Sequence, residues 1–502
     1  MRESYDVVVV GAGNAALCAA LSARETGASV LVLERSPEAE RGGNTTFTAG
    51  AMRFAYEGQA DILELVPDLS EQELAMTDFG SYPESQFFDD MDRVTQSHGD
   101  PDLIEVLVKN SFDTLRWMRG KGVQFLPIYG RQAYKVDGRF TFWGGLTLET
   151  KGGGPGLVET LHATAQADGI DIAYGARAMS LELDENRVVG VKVRQTGRTR
   201  LVGAGAVVLA SGGFQSNVEW RTRYLGPGWD LAKVRGTRFN TGDGIAMALA
   251  ANAMPWGNWS GCHAVGWELN APPFGDLSIG DSFQKHSYPF SIMVNAEGKR
   301  FVDEGADFRN YTYAKYGREI LAQSGQFAWQ VFDAKVSPLL RDEYRIREVT
   351  KVKADSLPEL AAKLDGVDAE AFLRTVEEYN SAVDVQMPFN PNVKDGRGTH
   401  GLAVPKSNWA NPLDEPPFEA YAVTCGITFT FGGIRIGTDA QVVDTEGDPI
   451  PGLFACGELV GGIFYFNYPG GSGLTNGSVF GRIAGRGAGL TTQPHVHSEQ
   501  GA

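Results

Sequence analysis

The first 36 residues constrain the fold more than any other stretch. Asp6 to Val10 is a valine-rich run that reads as a fully buried strand. It passes directly into GAGNAALCAALSARETGA, a glycine turn followed by an alanine-rich helix that ends near Gly27. A second buried strand, SVLVLERS, follows from Ser29 to Ser36. Strand, helix and strand within about 30 residues make a βαβ unit, which implies a parallel sheet.

The first turn of that unit reads G-x-G-x-x-A, with Gly11, Gly13 and Ala16 at the marked positions and Asn14 and Ala15 between them. The first glycine permits a tight turn, the second lets backbone N–H groups approach a pyrophosphate, and the small third residue lets helix and strand pack closely. Glu34 ends the second strand, where a carboxylate can bind a ribose hydroxyl, and Arg35 follows it. An acid there disfavours a 2′-phosphate, so FAD or NAD is expected rather than NADP.

The 502 residues are enough for two or three domains. The 63 glycines fall in short runs, as in loops that need positive φ or close approach to a ligand. A net charge of −17 argues against a nucleic-acid surface. Cys18, Cys262, Cys425 and Cys456 are far apart and form no CxxC pair, so metal, iron–sulfur and disulfide-framework readings are weak. No apolar run approaches the roughly 18 residues of a membrane span, and the strand-like run begins too early for a signal peptide, so a cytoplasmic protein is expected.

Further along, Asp102 to Gly122 has helical spacing, and Arg187 to Phe214 reads as a hairpin and then a buried strand ending in a glycine turn. Aromatics and prolines become denser from about Pro255 to Ala420, which suggests an inserted domain. The expected division is 1–255 and 426–491 for the dinucleotide domain, 256–425 for a capping and substrate domain, and 492–502 for a disordered tail.

RGGN, RTRYLGPGWDLAKVRGTRFNTGDG, FVDEGADFRNYTYAKYG, TCGITFTFGG and NYPGGSGLTNG carry a likeness that extends over nearly the whole chain. The sequence resembles the fumarate reductase and succinate dehydrogenase flavoproteins, and within them the FAD-dependent tricarballylate dehydrogenases. The resemblance implies an α/β fold: an FAD-binding, Rossmann-like domain of glutathione-reductase type with an inserted α+β capping domain. It implies FAD contacts at the Gly11–Ala16 loop and at Glu34 and Arg35. Further contacts are implied at Gly42, Gly43, Asn44 and Thr45, at Ala178, at Ala210, Ser211 and Gly212, and at Asp243. Gly457 and Glu458, and Ser472, Gly473 and Leu474 at a helix start, complete the set. Asn44 stands where membrane-bound relatives attach flavin through histidine, so non-covalent FAD is expected.

For the reaction, the resemblance implies hydride transfer to flavin N5 with Arg309 as the proton-transfer residue. An arginine with a pKa above about 12 needs help in that role, and Asp303, Glu304 and Asp307 are nearby candidates for a relay. The family's relay glutamate and arginine fall near Gln284 and Ser287, so that relay is absent or rebuilt, with Lys285 and His286 at hand. His263 matches a family histidine. Phe429 stands where the family has a carboxylate-binding histidine, with Thr430 beside it, and Tyr468 stands where it has an arginine. Arg238, His286, Arg131, Lys135 and Lys285 are candidate carboxylate grips. His98, His162, His400, His495 and His497 have no motif and default to the surface.

The leading expectation is oxidation of a polycarboxylate C–C bond to C=C, as in tricarballylate to cis-aconitate. The first alternative is a ketosteroid-dehydrogenase-like enzyme in which Tyr468 binds a ketone or enone oxygen. The second is a non-enzymatic flavin sensor or carrier. The resemblance also implies a small-molecule carboxylate substrate and a separate membrane iron–sulfur partner for electrons.

Overall fold

A computed structural model describes residues 1–142 and 145–492. The expected tail begins with the described Thr492, but residues 493–502, with His495 and His497, lie outside the described residues.

The valine run forms the strand Ser4–Val10, covered on both faces from Val7 onward, with Val7, Val8 and Val9 fully buried. It pairs in parallel with Val30–Leu33 on one side and Arg198–Leu209 on the other. Asp171–Ala173 extends the sheet past Val30–Leu33, and Pro449–Ala455 joins the end of Arg198–Leu209, both in parallel. The five parallel strands thus come from three distant parts of the chain. The expected hairpin is present, but its second arm runs unbroken from Arg198 to Leu209 and itself becomes the buried strand.

Two helices meet beneath this sheet. Asn14–Glu25 packs along Ser472–Thr491, which carries glycine at 477, 481, 485 and 489. A methyl at Gly481 would lie 2.5 Å from the Ala15 carbonyl oxygen, and one at Gly485 would lie 2.0 Å from that of Ala19. Glycine at every fourth position therefore lets the helix axes approach, and it brings both N-termini to one cavity. The expected helix near 102–122 spans Pro101–Gly120, capped by Asp100, whose carboxylate accepts the N–H groups of Asp102 and Leu103.

The second sheet is built around the 17-residue strand Phe418–Ile434. Pro255–Glu268, Phe327–Phe332 and Lys351–Ala354 pair with it antiparallel. Helices Leu357–Lys363 and Ala369–Ala382 close a separate core containing Leu360, Phe372, Val376 and Ala420. The strands Pro255–Glu268 and Phe418–Ile434 run through positions 255–256 and 425–426, where the sequence suggested domain borders. Among the described residues no helix is long and apolar enough to cross a membrane.

Candidate active site

One cavity runs from the Gly11–Gly13 loop to Arg309. Gly11 has φ +110°, and a methyl on it would lie 2.4 Å from the Ala210 carbonyl oxygen, so only glycine fits this turn. The loop is tied down by Asn14, whose N–H donates to Thr45 Oγ1 at 3.1 Å and whose Nδ2 donates to the Leu474 carbonyl at 2.9 Å. Asn44 is fully engaged: Nδ2 donates to the Thr428 carbonyl at 2.6 Å, and Oδ1 accepts the Thr237 N–H at 3.0 Å.

Of the sequence-predicted nucleotide contacts, Gly11, Gly13, Asn14, Ala15, Glu34, Arg35, Gly43, Asn44, Thr45, Ala178, Ala210, Ser211, Gly212, Asp243, Gly457, Glu458, Gly473 and Leu474 line this cavity. Ala16, Gly42 and Ser472 stand behind the wall and shape it. Ala16 and Ser472 are fully buried, and the Ser472 hydroxyl donates to the Pro469 carbonyl at 2.6 Å. A methyl on Gly42 would meet Val158 at 2.7 Å.

The polar groups fit a dinucleotide. Asp243 is clamped by Arg177 through bonds of 2.8 and 3.1 Å and by Arg35 at 3.1 Å. Glu458 Oε1 accepts the Thr430 N–H at 3.1 Å, and Oε2 accepts Asn240 Nδ2 at 3.2 Å. Burial pushes the Glu458 carboxyl up to about 7 against those donors. Ser211 Oγ and Asn476 Oδ1 line the cavity, buried and without a hydrogen-bond partner among the described residues. Such groups mark places where a polar ligand completes the bonding.

The far end of the cavity is a chamber of a different kind. His263 and Phe429 are cross-strand neighbours on Pro255–Glu268 and Phe418–Ile434. Tyr468 packs against both rings, with centroids at 4.8 and 5.0 Å, and Phe464 lies 5.6 Å from it. The Tyr468 and Tyr313 hydroxyls are hydrogen-bonded to each other in full burial. Burial raises the pKa of both phenols. His263 and His286 are buried, and none of their four ring nitrogens has a hydrogen-bond partner among the described residues. Burial holds both imidazoles neutral, reinforced at His286 by Arg309, Arg235 and Arg341.

Among the described residues, those three guanidiniums line the chamber with one carboxylate, Asp281. Arg235 holds Asp281 through Nε at 2.8 Å and Nη2 at 2.5 Å. Arg341 Nε lies 2.9 Å from Glu343. Arg309 opens the short turn Arg309–Tyr311 and is half-buried.

Arg309, His263, Tyr468, His286, Phe429 and Thr430 therefore meet as the sequence suggested, but Arg238 does not. It is exposed, lies over the Phe239 ring and pairs with Glu40 at 2.7 Å. The chamber cation from that stretch is Arg235, since the positive φ of Gly236 turns the chain before Arg238. The proposed relay acids are occupied elsewhere. Asp303 accepts the Ser407 N–H at 3.0 Å, Glu304 pairs with Arg300 at 2.5 Å, and Asp307 pairs with Arg93 at 2.9 Å and Lys394 at 3.5 Å. Lys285 is buried on three carbonyls at 3.3 Å, and Lys135 is exposed on a hairpin, over Phe140. The Arg131 side chain lies outside what the structure describes. His162 is not at the surface: it is buried, with the Tyr174 hydroxyl 3.2 Å from Nδ1. Arg177, Arg235, Asp281, Tyr313 and Arg341 were missed, although Tyr313 lies four residues past Arg309 in a stretch already singled out.

A glycine-looped dinucleotide groove joined to a buried, cation-lined chamber is the arrangement of a dinucleotide-dependent oxidoreductase. Comparison with known proteins gives the family. A family model described as an FAD binding domain matches residues 6–474, and the chain belongs to that family, with the fumarate reductase flavoproteins. A fumarate reductase (cytochrome) of Shewanella frigidimarina is 31% identical over 489 residues, covering 96% of this chain and 77% of that one. A 4-oxocyclohexanecarboxylate 2-dehydrogenase of Sinomonas cyclohexanicum is 31% identical over 557 residues, covering 97% and 94%. The solved open conformation of a flavocytochrome c3 fumarate reductase matches with a TM-score of 0.73 at 27% identity, covering 98% of this chain and 79% of that one. The protein is an FAD-dependent oxidoreductase that interconverts CH–CH and C=C bonds, and the carrier reading is set aside.

Proposed function

We propose that the chain desaturates a carboxylate whose reacting carbons lie next to a ketone, with Arg309 and Arg341 holding the carboxylate and Tyr468 with Tyr313 holding the ketone oxygen. The observation that carries this reading is the buried Tyr468–Tyr313 hydroxyl pair walled by Phe429 and Phe464. A buried phenol pair donates well to a neutral carbonyl and to the enolate oxygen that develops from it. It compensates a full carboxylate poorly. The charges of the described residues agree: three guanidiniums against Asp281, with Glu343 behind Arg341, match one anionic group better than three.

Bound FAD supplies the acceptor for two electrons. The protein's own groups do the rest. Hydrogen bonds from the tyrosines acidify the carbon beside the ketone, and His263, in contact with both rings, takes the proton as the enolate charge develops, which offsets the burial and the Arg235 charge that otherwise keep this imidazole neutral. The aromatic wall excludes water from the developing charge. We also propose that FAD is held without a covalent bond, because Asn44 offers only an amide, already hydrogen-bonded at both ends. The similarity to a 4-oxocyclohexanecarboxylate 2-dehydrogenase supports the substrate class, and a separate electron-accepting partner belongs to the same proposal.

A second reading rests on the convergence of Arg235, Arg309 and Arg341. Three cations suit a polycarboxylate such as tricarballylate, with Arg309 moving the proton. Anaerobic titration of the purified yellow protein separates the two. Bleaching by 4-oxocyclohexanecarboxylate and not by tricarballylate is expected. Bleaching by tricarballylate alone installs the second reading, and bleaching by neither removes both.

A further inference from the structure

The chamber's two grips sit on different turns, and both turns are tied to one buried ion pair. Arg309 belongs to the turn Arg309–Tyr311, and Tyr468 immediately precedes the Pro469–Gly471 turn. Two hydrogen bonds join the turns directly: Gly470 N–H to the Asn310 carbonyl at 3.2 Å, and Asn467 Nδ2 to the Tyr311 carbonyl at 2.7 Å. Behind them, Arg53 is wholly buried. Its Nε donates to the Gly470 carbonyl at 2.8 Å, and its backbone N–H donates to that of Gly471 at 3.2 Å. Asp90 faces Arg53 Nη1 at 3.6 Å and accepts the Tyr311 hydroxyl at 2.8 Å and the Tyr82 hydroxyl at 2.6 Å. The Arg53 guanidinium lies over the rings of both tyrosines, at 5.1 Å from Tyr82 and 5.6 Å from Tyr311.

Arg53 therefore holds the Tyr468 side of the chamber and Asp90 holds the Arg309 side. A buried charge pair is a poor source of net stability, since desolvation offsets its attraction, but it fixes geometry well. We infer that Arg53 and Asp90 are positioning residues that set the separation between the carboxylate grip at Arg309 and the carbonyl grip at Tyr468, and so select substrates by the distance between those two groups. This rests on the two-grip reading above.

The test compares ligands that use both grips with ligands that use one. Flavin absorbance reports binding of 4-oxocyclohexanecarboxylate, cyclohexanecarboxylate and cyclohexanone to wild-type, Asp90→Asn and Tyr311→Phe holoenzymes. In Asp90→Asn the two-ended ligand is expected to bind at least about tenfold more weakly, the scale of a misplacement well under an ångström, while the one-ended ligands change less than about twofold. Tyr311→Phe removes one hydroxyl from Asp90 and keeps the charges; it is expected to show the same pattern at about threefold, and it decides the matter if Asp90→Asn fails to fold. Equal weakening of all three ligands, or no weakening of the two-ended one, overturns the inference. If wild-type protein binds the two-ended ligand no more tightly than cyclohexanecarboxylate, the two-grip reading itself fails and this inference falls with it.

Discussion

Replacing Tyr468 with phenylalanine removes one hydroxyl and leaves the ring among His263, Phe429 and Phe464 at 4.8, 5.0 and 5.6 Å. The chamber keeps its shape, and no cavity opens. Tyr313 loses its hydroxyl partner, which costs about 1 kcal/mol of stability in a buried site. FAD content is therefore expected to stay at the wild-type level. The chemical step suffers more, because a preorganised donor to a developing oxyanion contributes about 3–4 kcal/mol, or about 10²–10³ in rate. Stopped-flow bleaching of the flavin at saturating keto acid measures that step without the electron acceptor. A loss of less than about tenfold in the limiting rate would refute the carbonyl role of Tyr468. Loss of bound FAD would instead make the residue structural.

Arg309→Lys keeps a cation but loses the planar fork, so KM for the carboxylate is expected to rise about tenfold with kcat within a few-fold; a collapse of kcat at unchanged KM in steady-state assays would transfer Arg309 from grip to proton carrier. Gly11→Ala places a methyl 2.4 Å from the Ala210 oxygen at φ +110°, and the purified protein is expected to carry almost no flavin, as read from its absorbance ratio. In FAD-free protein Glu458 keeps its proton up to about 7, whereas the unfolded chain releases it near 4.5. Its contribution is thus fully favourable below the lower value and declines as pH rises through that window, by about 3 kcal/mol at most. Glu458→Gln removes this slope, so the stability difference between variant and wild type is expected to grow from pH 4.5 to 7 in denaturant melts; a constant difference would contradict the burial argument.

The fold was legible wherever local pattern and tertiary role coincide. The Val7–Val9 run, the glycine turn and the alanine helix each state their structure in adjacent residues, and the βαβ unit appears as expected. The glycine spacing of Ser472–Thr491 was visible, but its partner helix lies over 450 residues away, so only packing explains it. The chamber was legible at Arg309, His263, Phe429 and Tyr468 because each stands in a distinctive short stretch. Arg235 and Arg238 lie three residues apart in one such stretch, and the Gly236 turn sends only the first inward. Arg341 has no local signal: it opens a run of charges with Asp342 and Glu343 that matches no motif, and only the docking of its turn against Ser287, whose Oγ accepts the Arg341 N–H at 3.2 Å, brings it to the chamber. The acids near Arg309 in sequence illustrate the converse. Closeness in sequence to Arg309 says less about each acid than the partner that packing presents to it: the Ser407 N–H for Asp303, Arg300 for Glu304, and Arg93 with Lys394 for Asp307.

The register that sets His263 opposite Phe429 has a consequence for how such enzymes diverge. Both side chains stand on strands whose hydrogen bonds are satisfied regardless of what those positions carry. Selection can therefore exchange an imidazole for a benzyl group, or the reverse, without redrawing the chain. Chamber chemistry can drift in single steps while the scaffold stays the same, so relatives that share nearly every strand can differ entirely in what they consume.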